Sequence, residues 1–217
     1  YYDIVIRSCY SDVVTLLSGK DGSVLWEKSL SCFDIWGLTY IPEGEGKIIV
    51  FLQNNAGCKG IIALRPSNGE IIWEADYTRT HGSLILGSYK VFFTSDGGRI
   101  GCNTGFGVLK GESGDEIWFN PATQEPTIWT ITGDINSDGK QDVGVYLDEK
   151  INLYSGSNGN LIWSAILGSV RRIASIPDVN NDNVSDLVIV TNTNVQALNG
   201  NNGDKLWTYT FPSSIDN

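Results

Sequence analysis

The chain has little charge, one histidine and no methionine, and these shortages exclude several classes of function. Charged residues make up 18% of 217 residues, and 15 Lys and Arg against 25 Asp and Glu leave a net charge of −10. So acidic a chain lacks the basic face that nucleic-acid binding requires. His81 is the only histidine, which excludes Ser-His and Cys-His triads elsewhere and argues against structural zinc. No apolar run approaches the length of about 18 residues that a membrane span needs.

The four cysteines, Cys9, Cys32, Cys58 and Cys102, include neither an adjacent pair nor a Cys-x-x-Cys pair. An even number of cysteines in a chain with few charges predicts two disulfides formed in an oxidising compartment. The alternative is four buried thiols that act as small hydrophobic side chains.

A ten-residue segment that ends in Trp occurs five times in the sequence. The copies are Leu17–Trp26, Leu64–Trp73, Leu109–Trp118, Tyr154–Trp163 and Leu198–Trp207. In each copy a Gly precedes the Trp by four positions, and successive Trp residues are 47, 45, 45 and 44 positions apart. A near-constant period of this length is typical of a repeat architecture.

Each repeat contains about four short strands and no helical period. The repeat Gly follows Asp, Asn or Ser, a pair typical of a tight turn, and β-branched and aliphatic runs flank it. Further strands are predicted on both sides, as at 47–52 and 127–132. Four strands in about 45 residues form a propeller blade, which must stack on neighbours to bury its faces. We therefore predict an all-β fold, a single β-propeller over residues 1–217 with four-stranded antiparallel blades.

The turn-plus-Trp element resembles the repeat of quinoprotein-like (PQQ-like) β-propellers. The resemblance implies that each repeat Trp packs at a blade interface against the turn of the neighbouring blade. The residues concerned are Trp26, Trp73, Trp118, Trp163 and Trp207. Asp3–Ile6 matches Asp186–Ile189, so the sequence begins near the second strand of a blade. Because relatives usually have more blades, we expect a piece of a larger propeller, with ring closure by the tail 211–217 as the alternative.

Two acidic loops, 134–142 (loop 1) and 178–186 (loop 2), begin 16 and 15 residues after a repeat Trp. Oxygen-bearing side chains occupy positions 1, 3, 5 and 9 of each loop, and position 7 offers its backbone carbonyl. This spacing wraps oxygen ligands around one hard cation, and Ca²⁺ takes about six to eight of them. Gly139 and Asn183 permit a sharp bend at position 6. The predicted ligands are Asp134, Asn136, Asp138, Lys140, Asp142, Asp178, Asn180, Asp182, Val184 and Asp186.

An EF-hand is excluded because its position 12 is Glu between helices, whereas Val145 and Ile189 stand there within β-type runs. The strand–loop–strand pattern resembles FG-GAP (VCBS-type) repeats, as in integrin-α propellers, where the loop joins strands A and B of a blade. The resemblance implies two Ca²⁺ sites, and Asp3 matches position 9 of a third loop. The alternative is two solvated turns rich in Asn and Asp, although three carboxylates within nine residues repel each other without a cation.

Together these patterns favour a non-catalytic, calcium-stabilised propeller on a secreted or cell-surface protein, which serves adhesion, assembly or scaffolding through a protein or glycan partner. The alternative is the propeller domain of a secreted enzyme, polysaccharide lyase-like or quinoprotein dehydrogenase-like, with active residues outside this segment. Quinone-dependent relatives typically use an adjacent Cys pair, which the chain lacks. His81 is interpreted as a turn residue, and no catalytic residue is assigned.

The strand order predicts where the cysteines lie. In an up-and-down blade, Cys9, Cys58 and Cys102 fall between the second and third strands, and Cys32 falls between two blades, all opposite the acidic loops. Among the three possible pairings we predict Cys9–Cys32 and Cys58–Cys102. Peptide mapping of the unreduced protein should recover these two cross-linked peptides. A Cys9–Cys58 cross-link contradicts the pairing, and four alkylatable thiols contradict both disulfides.

Overall fold

A computed structural model describes residues 2–7, 12–30, 35–42, 44–52, 60–77, 80–86, 90–97 and 104–212, with the backbone alone for 82–86. Every regular element in these ranges is a β-strand. The strands are β1 Ile4–Arg7, β2 Val13–Leu17, β3 Val24–Ser29, β4 Ile35–Ile41, β5 Lys47–Leu52, β6 Ile61–Leu64, β7 Ile71–Ala75, β8 Thr80–Leu86, β9 Lys90–Asp96, β10 Thr104–Lys110, β11 Glu116–Pro121, β12 Ile128–Ile131, β13 Val143–Leu147, β14 Lys150–Tyr154, β15 Leu161–Ile166, β16 Arg172–Ile176, β17 Asp186–Val190, β18 Asn194–Leu198 and β19 Lys205–Thr210.

The strands form five antiparallel sheets in chain order, here called blades 1 to 5. Blade 1 contains β1–β3, and blades 2 to 5 each contain the next four consecutive strands. The predicted four-stranded antiparallel unit is therefore confirmed, and β1 pairs with β2 as the second strand of a blade does. The chain divides into two compact units, of which the first holds blades 1 to 3 and the second holds blades 4 and 5.

The turn between the last two strands has the same conformation in all five blades. The amide of the repeat Gly donates a hydrogen bond of 2.8 Å to the carbonyl four residues earlier, and the Gly has φ between 70 and 78°. Beyond each turn the register shifts by one residue. In blade 1, Leu17 pairs with Val24 but Leu16 pairs with Trp26, so Leu25 is a β-bulge. The same shift precedes the Trp in the other four blades, and such a bulge re-aims the next side chain.

Three repeat Trp residues dock on the turn of the following blade. The indole Nε1 of Trp26 donates to the carbonyl oxygen of Pro66 at 2.7 Å. Trp73 donates in the same way to Gly111 at 3.0 Å. Trp163 donates to Gly200 at 2.6 Å, so the acceptor in each case stands three residues before the repeat Gly. The blade-interface position that the resemblance implied is therefore observed for these three residues.

The repeat Gly leaves room for the docked indole. A Cβ built on Gly69, Gly114 or Gly203 would lie 2.9, 2.5 or 2.7 Å from Cε3 of the Trp that packs there. Trp118 is buried and packs edge-on against Phe106 of its own blade at a centroid distance of 6.1 Å. Trp207 differs from the others because it is 45% exposed.

Strands in the middle of a stack bury both of their faces. In β5, Ile48 and Val50 pack with residues of blade 1, whereas Ile49 and Phe51 pack with residues of blade 3. All four are at most 1% exposed. Because successive side chains point to opposite faces, a strand between two neighbours requires the unbroken apolar run seen in the sequence. The hydrophobic core therefore lies between the blades.

Substituting a repeat Gly should cost more than the positive φ alone explains. Gly203→Ala adds a methyl that collides with Trp163, whereas Gly168→Ala meets open space at a similar φ of 66°. We expect the control to lose about 1–2 kcal/mol from backbone strain, and Gly203→Ala to lose about 1–3 kcal/mol more from overpacking. Urea unfolding of both variants measures the difference. Equal losses would show that the close contact between Gly203 and Trp163 contributes nothing to stability.

Candidate metal-binding loops

The two acidic loops join the first and second strands of their blades, as predicted. Loop 1 lies between β12 and β13 of blade 4, and loop 2 leads from β16 into β17 of blade 5. Both follow a strand end and precede a strand whose core face is fully buried. The sheet therefore fixes both ends of each loop, while the middle positions remain at least partly exposed.

The carboxylate at position 1 organises each loop by accepting backbone hydrogen bonds. Asp134 accepts from the amides of Asp138 and Gly139 at 3.0 and 2.7 Å. In loop 2, Asp178 accepts from the amides of positions 3 to 6 at 2.7–3.3 Å. Hydrogen bonds to the charged form lower the pKa of a carboxyl group. In Asp178, burial raises the pKa, but these four amides outweigh it and hold the pKa below its ordinary value.

Positions 3 and 5 repeat the same contacts in both loops. The Asn136 amide oxygen accepts from the backbone of Asp138 at 3.0 Å, and its Nδ2 donates to the Asp138 carboxylate at 3.1 Å. Asn180 and Asp182 make the equivalent pair of bonds, each at 3.0 Å. The position 5 carboxylates then accept from the backbone amide of position 7, at 3.0 Å in loop 1 and 2.9 Å in loop 2.

Two positions in each loop adopt positive φ. Position 6 does so as predicted, with φ of 80° at Gly139 and 68° at Asn183. Position 4 does so as well, with φ of 61° at Ser137 and 63° at Asn181. Asn tolerates this region better than most residues, but Ser gives no such signal, so sequence analysis missed the bend at position 4.

The carboxylate at position 9 is fully buried and links the loop to the neighbouring turn. Asp186 accepts from the amide of Val179 at 2.8 Å and from the amide of Gly200 at 2.9 Å. Gly200 belongs to the turn between β18 and β19, and its carbonyl oxygen accepts the indole of Trp163. Gly200 therefore connects the acidic loop, through its amide, to the interface between blades 4 and 5, through its carbonyl.

The same link occurs in blades 4 and 1. Asp142 accepts from the amides of Ile135, Asn136 and Gly156 at 2.8, 3.3 and 3.0 Å. Asp3 accepts from Gly19 at 3.1 Å, which is the contact expected of a position 9 residue. Burial raises the pKa of Asp142, against the lowering effect of its three hydrogen bonds, and the charge of Asp138 raises it further. A cation in loop 1 would oppose that rise.

Loop 1 has two additional hydrogen-bond donors. The Asp138 carboxylate accepts from the hydroxyls of Ser155 and Ser157 at 3.0 and 2.7 Å. Burial raises the pKa of Asp138, but these hydroxyls and the other hydrogen bonds together lower it below its ordinary value. The corresponding turn positions in blade 5 are Asn199 and Asn201.

The donor set of each loop fits a hard cation in its chemistry. Each loop offers three carboxylates, one amide oxygen and one backbone carbonyl, which are the ligand types that Ca²⁺ takes. Within the described ranges, no three Asp, Glu, His or Cys side chains converge as a ready-made metal cluster. A cluster defined by Asp, Glu, His and Cys side chains alone leaves out two of the predicted ligands, the Asn at position 3 and the carbonyl at position 7. In addition, the position 9 carboxylates are turned toward backbone amides.

His81 lies within β8, so its interpretation as a turn residue is wrong. Its Nδ1 is hydrogen-bonded to the Glu125 carboxylate, and its ring lies 3.9 Å from that of Trp36 between centroids. Glu125 also accepts from the hydroxyl of Thr94 at 2.7 Å, and its side chain is only 11% exposed. Sequence analysis missed this polar cluster because Glu125 is 44 residues from His81 and belongs to no local motif.

The four predicted disulfide cysteines lie outside the described residues. Along the chain, Cys9 falls between β1 and β2, Cys58 between β5 and β6, and Cys102 between β9 and β10. Cys32 falls between β3 and β4. Their pairing remains a prediction. In the part of the chain that the structure covers, no apolar helix is long enough to cross a membrane.

Comparison with known proteins identifies the fold but no family. Neither a protein-family profile nor a curated protein sequence matches the chain. BamB from Moraxella catarrhalis matches with a TM-score of 0.62 and 18% identity, over 98% of this chain and 61% of that one. A europium-containing methanol dehydrogenase matches with a TM-score of 0.65 and 14% identity, over 96% of this chain and 49% of that one.

BBS1N in complex with ARL6DN matches with a TM-score of 0.63 and 12% identity, over 98% of this chain and 65% of that one. The chain therefore spans less than two thirds of the length of these structures. Other matches include a quinohemoprotein alcohol dehydrogenase and a WD40 domain. At this level of identity the likeness shows the β-propeller fold alone, and it supports the resemblance to quinoprotein-type propellers as a resemblance of fold.

Removing the position 9 carboxylate should destabilise blade 5 even without metal. Asp186→Ala leaves the amides of Val179 and Gly200 without their acceptor, at a cost of about 2–4 kcal/mol. Asp186→Asn retains one acceptor oxygen and should lose less. The control is Asp204→Ala, at an exposed turn position of the same blade. Chemical unfolding in EDTA is the measurement, and equal stability of Asp186→Ala and the control would contradict a structural role for the carboxylate.

Proposed function

We propose that the chain is a calcium-stabilised, non-catalytic propeller scaffold from a secreted or cell-surface protein. The observation that supports it best is the agreement between loops 1 and 2. The two loops differ in sequence at five of nine positions. They nevertheless share positive φ at positions 4 and 6 and the same hydrogen bonds among positions 3, 5 and 7. In both loops the position 1 carboxylate accepts from the amides of positions 5 and 6. Two sequences that preserve one acidic conformation indicate a shared ligand requirement.

In this proposal each loop binds one Ca²⁺. The side-chain oxygens of positions 1, 3, 5 and 9 and the carbonyl of position 7 supply protein ligands, and water completes the shell. Two ions would change the formal charge of the chain from −10 to −6. The role of the metal is structural, because the loop residues serve as ligands and the only His, His81, lies in the other compact unit.

Calcium at loop 2 would act on more than its own loop. The Asp186 carboxylate holds Gly200, and Gly200 accepts the indole of Trp163. An ion that fixes the loop would therefore restrain the turn on which the preceding blade docks. We infer that calcium stabilises the contact between blades 4 and 5 as well as the corner between β16 and β17.

The calcium proposal favours an extracellular location. If loops 1 and 2 bind as weakly as known extracellular calcium modules, with Kd of about 10⁻⁴–10⁻³ M, they need surroundings where calcium is abundant and constant. A rigid propeller there would present its loops to a protein or glycan in adhesion, assembly or scaffolding. One matched propeller structure, BBS1N, was determined in complex with ARL6DN, and this supports a scaffold role by analogy of fold only.

The calcium proposal predicts a large shift in melting temperature. With a Kd of about 10⁻⁴ M and about 1 mM calcium, linkage contributes about 1.4 kcal/mol per site. Two sites should raise the Tm of a chain of this size by about 5–10 °C relative to EDTA. Asp138→Asn plus Asp182→Asn removes one carboxylate from each loop but keeps an acceptor for the position 7 amide. This double variant should lose most of the shift.

The matched control is Asp21→Ala plus Asp115→Ala, which removes two exposed carboxylates from turns outside the loops. Its net charge changes by the same amount as that of the double Asn variant, but both loops keep all their carboxylates. The control should therefore keep the full calcium response. Isothermal titration with Ca²⁺ should give two sites for the parent and the control. An unchanged melting curve in EDTA and no heat of binding would overturn the calcium proposal, and with it the argument for an extracellular location.

A further inference from the structure

Loops 1 and 2 belong to neighbouring blades of one compact unit, and they contact each other. Gly133 immediately precedes loop 1, and Ser185 is position 8 of loop 2. A Cβ built on Gly133 would lie 2.7 Å from Oγ and 3.3 Å from Cβ of Ser185. The backbone that enters loop 1 therefore passes against a residue of loop 2.

Ile135, at position 2 of loop 1, makes a second contact between the loops. Its side chain is only 5% exposed. A Cβ built on Gly200 would lie 3.2 Å from Cδ1 of Ile135 and would collide with the carbonyl oxygen of Ser185. Gly200 is thus enclosed between a residue of loop 1 and a residue of loop 2. Its amide donates to Asp186, the position 9 carboxylate of loop 2.

The two loops also share one hydrophobic cluster. Ile135 belongs to this cluster together with Trp163 and Leu198. Val184, whose backbone carbonyl is the predicted position 7 ligand of loop 2, packs against the same cluster. Side chains from both loops therefore end in the core between blades 4 and 5, where a change at one loop can reach the other.

Hydrogen bonds connect the predicted ligands to these contacts. In loop 1, the Asp142 carboxylate accepts from the amide of Ile135 at 2.8 Å. In loop 2, the Asp186 carboxylate accepts from the amides of Gly200 and Val179 at 2.9 and 2.8 Å. An ion held by Asp142 would restrain Ile135, and an ion held by Asp186 would restrain Gly200. These two restrained residues are the ones that meet between the loops.

We propose that loops 1 and 2 bind Ca²⁺ cooperatively, which rests on the proposed function and adds a coupling between its two sites. Each ion must order its loop, and ordering costs conformational entropy. The contacts at Gly133, Ile135 and Gly200 are shared, so the first ion orders part of what the second ion needs. By linkage, each site raises the affinity of the other by the same factor.

Electrostatics acts in the opposite direction and is separable by salt. The first ion removes negative charge that would attract the second. Dissolved salt screens this effect, with a Debye length of about 30 Å at 0.01 M and about 8 Å at 0.15 M. The packing contacts between the loops are not screened. The cooperativity should therefore increase when the ionic strength is raised from about 0.01 M to about 0.15 M, although both affinities fall.

Isothermal titration of the full chain with CaCl₂ measures the coupling. Asp138→Asn disables loop 1 and Asp182→Asn disables loop 2, so the two variants give the affinity of each loop while the other is empty. For independent sites, the product of these two association constants equals the overall constant with which the parent binds two ions. We expect the measured overall constant to exceed that product by about fivefold or more.

A matched pair of variants tests the route of the coupling. Ile135→Val removes the Cδ1 methyl group that lies over Gly200 and leaves every predicted ligand in place. Ile151→Val removes the same group from the same cluster, but at the β13–β14 end of blade 4, away from loop 1. Ile135→Val should lower the excess to about twofold or less, whereas Ile151→Val should keep the parental value.

Hydrogen exchange gives a reading that does not depend on an ion in loop 2. In Asp182→Asn, saturating loop 1 with calcium should slow amide exchange at Val179 and Gly200, because both amides donate to Asp186 of loop 2. The control is Asp138→Asn plus Asp182→Asn, in which calcium should leave the exchange of both amides unchanged.

The outcomes separate the coupling from the calcium sites themselves. Two ions that bind with an overall constant equal to or below the product refute the cooperativity and leave the calcium proposal standing. The same holds if loop 1 calcium leaves the exchange at Val179 and Gly200 unchanged. A full excess in Ile135→Val refutes the proposed route. If the parent binds no calcium, both the proposed function and the cooperativity are wrong.

Discussion

The contact between a repeat Trp and the turn of the next blade is the constraint on which the remaining structure depends. The indole needs a carbonyl acceptor and a flat surface without a side chain, and a Gly with positive φ supplies that surface. The bulge before the Trp directs the ring toward the contact. Together these requirements explain why the spacing from Gly to Trp is constant while the residues between them vary.

The acidic loops connect this contact to the corner between the first and second strands of the blade. Because the position 9 carboxylate is buried and hydrogen-bonded to the docking turn, it serves structure before any metal is considered. Asp3 makes the same link in blade 1. A carboxylate at this position therefore has a structural reason to be present without metal, and the calcium proposal rests more specifically on positions 1, 3 and 5.

Sequence predicts the periodic features of this fold well, since each depends on local chemistry. The turn Gly, the apolar strands, the placement of loops 1 and 2 and the bend at position 6 all follow from residue type and spacing. The bulge before the Trp was missed because the aliphatic residue that precedes each Trp is typical of an ordinary strand. The pairing of His81 with Glu125 was missed because it joins distant segments. The buried hydrogen bonds of Asp186 needed the turn position, which only the folded sheet provides.

The strands with two buried faces impose a condition on folding. Residues 48–52 of β5 form a continuous apolar stretch whose side chains are covered only after blades 1 and 3 have stacked on blade 2. Before stacking, such a stretch is exposed, uncharged and rich in β-forming residues, and this composition favours aggregation. Early pairing of each blade with the one before it, during synthesis from the N-terminus, would shorten the time that these strands spend exposed. Such an order of pairing would limit aggregation while the chain folds.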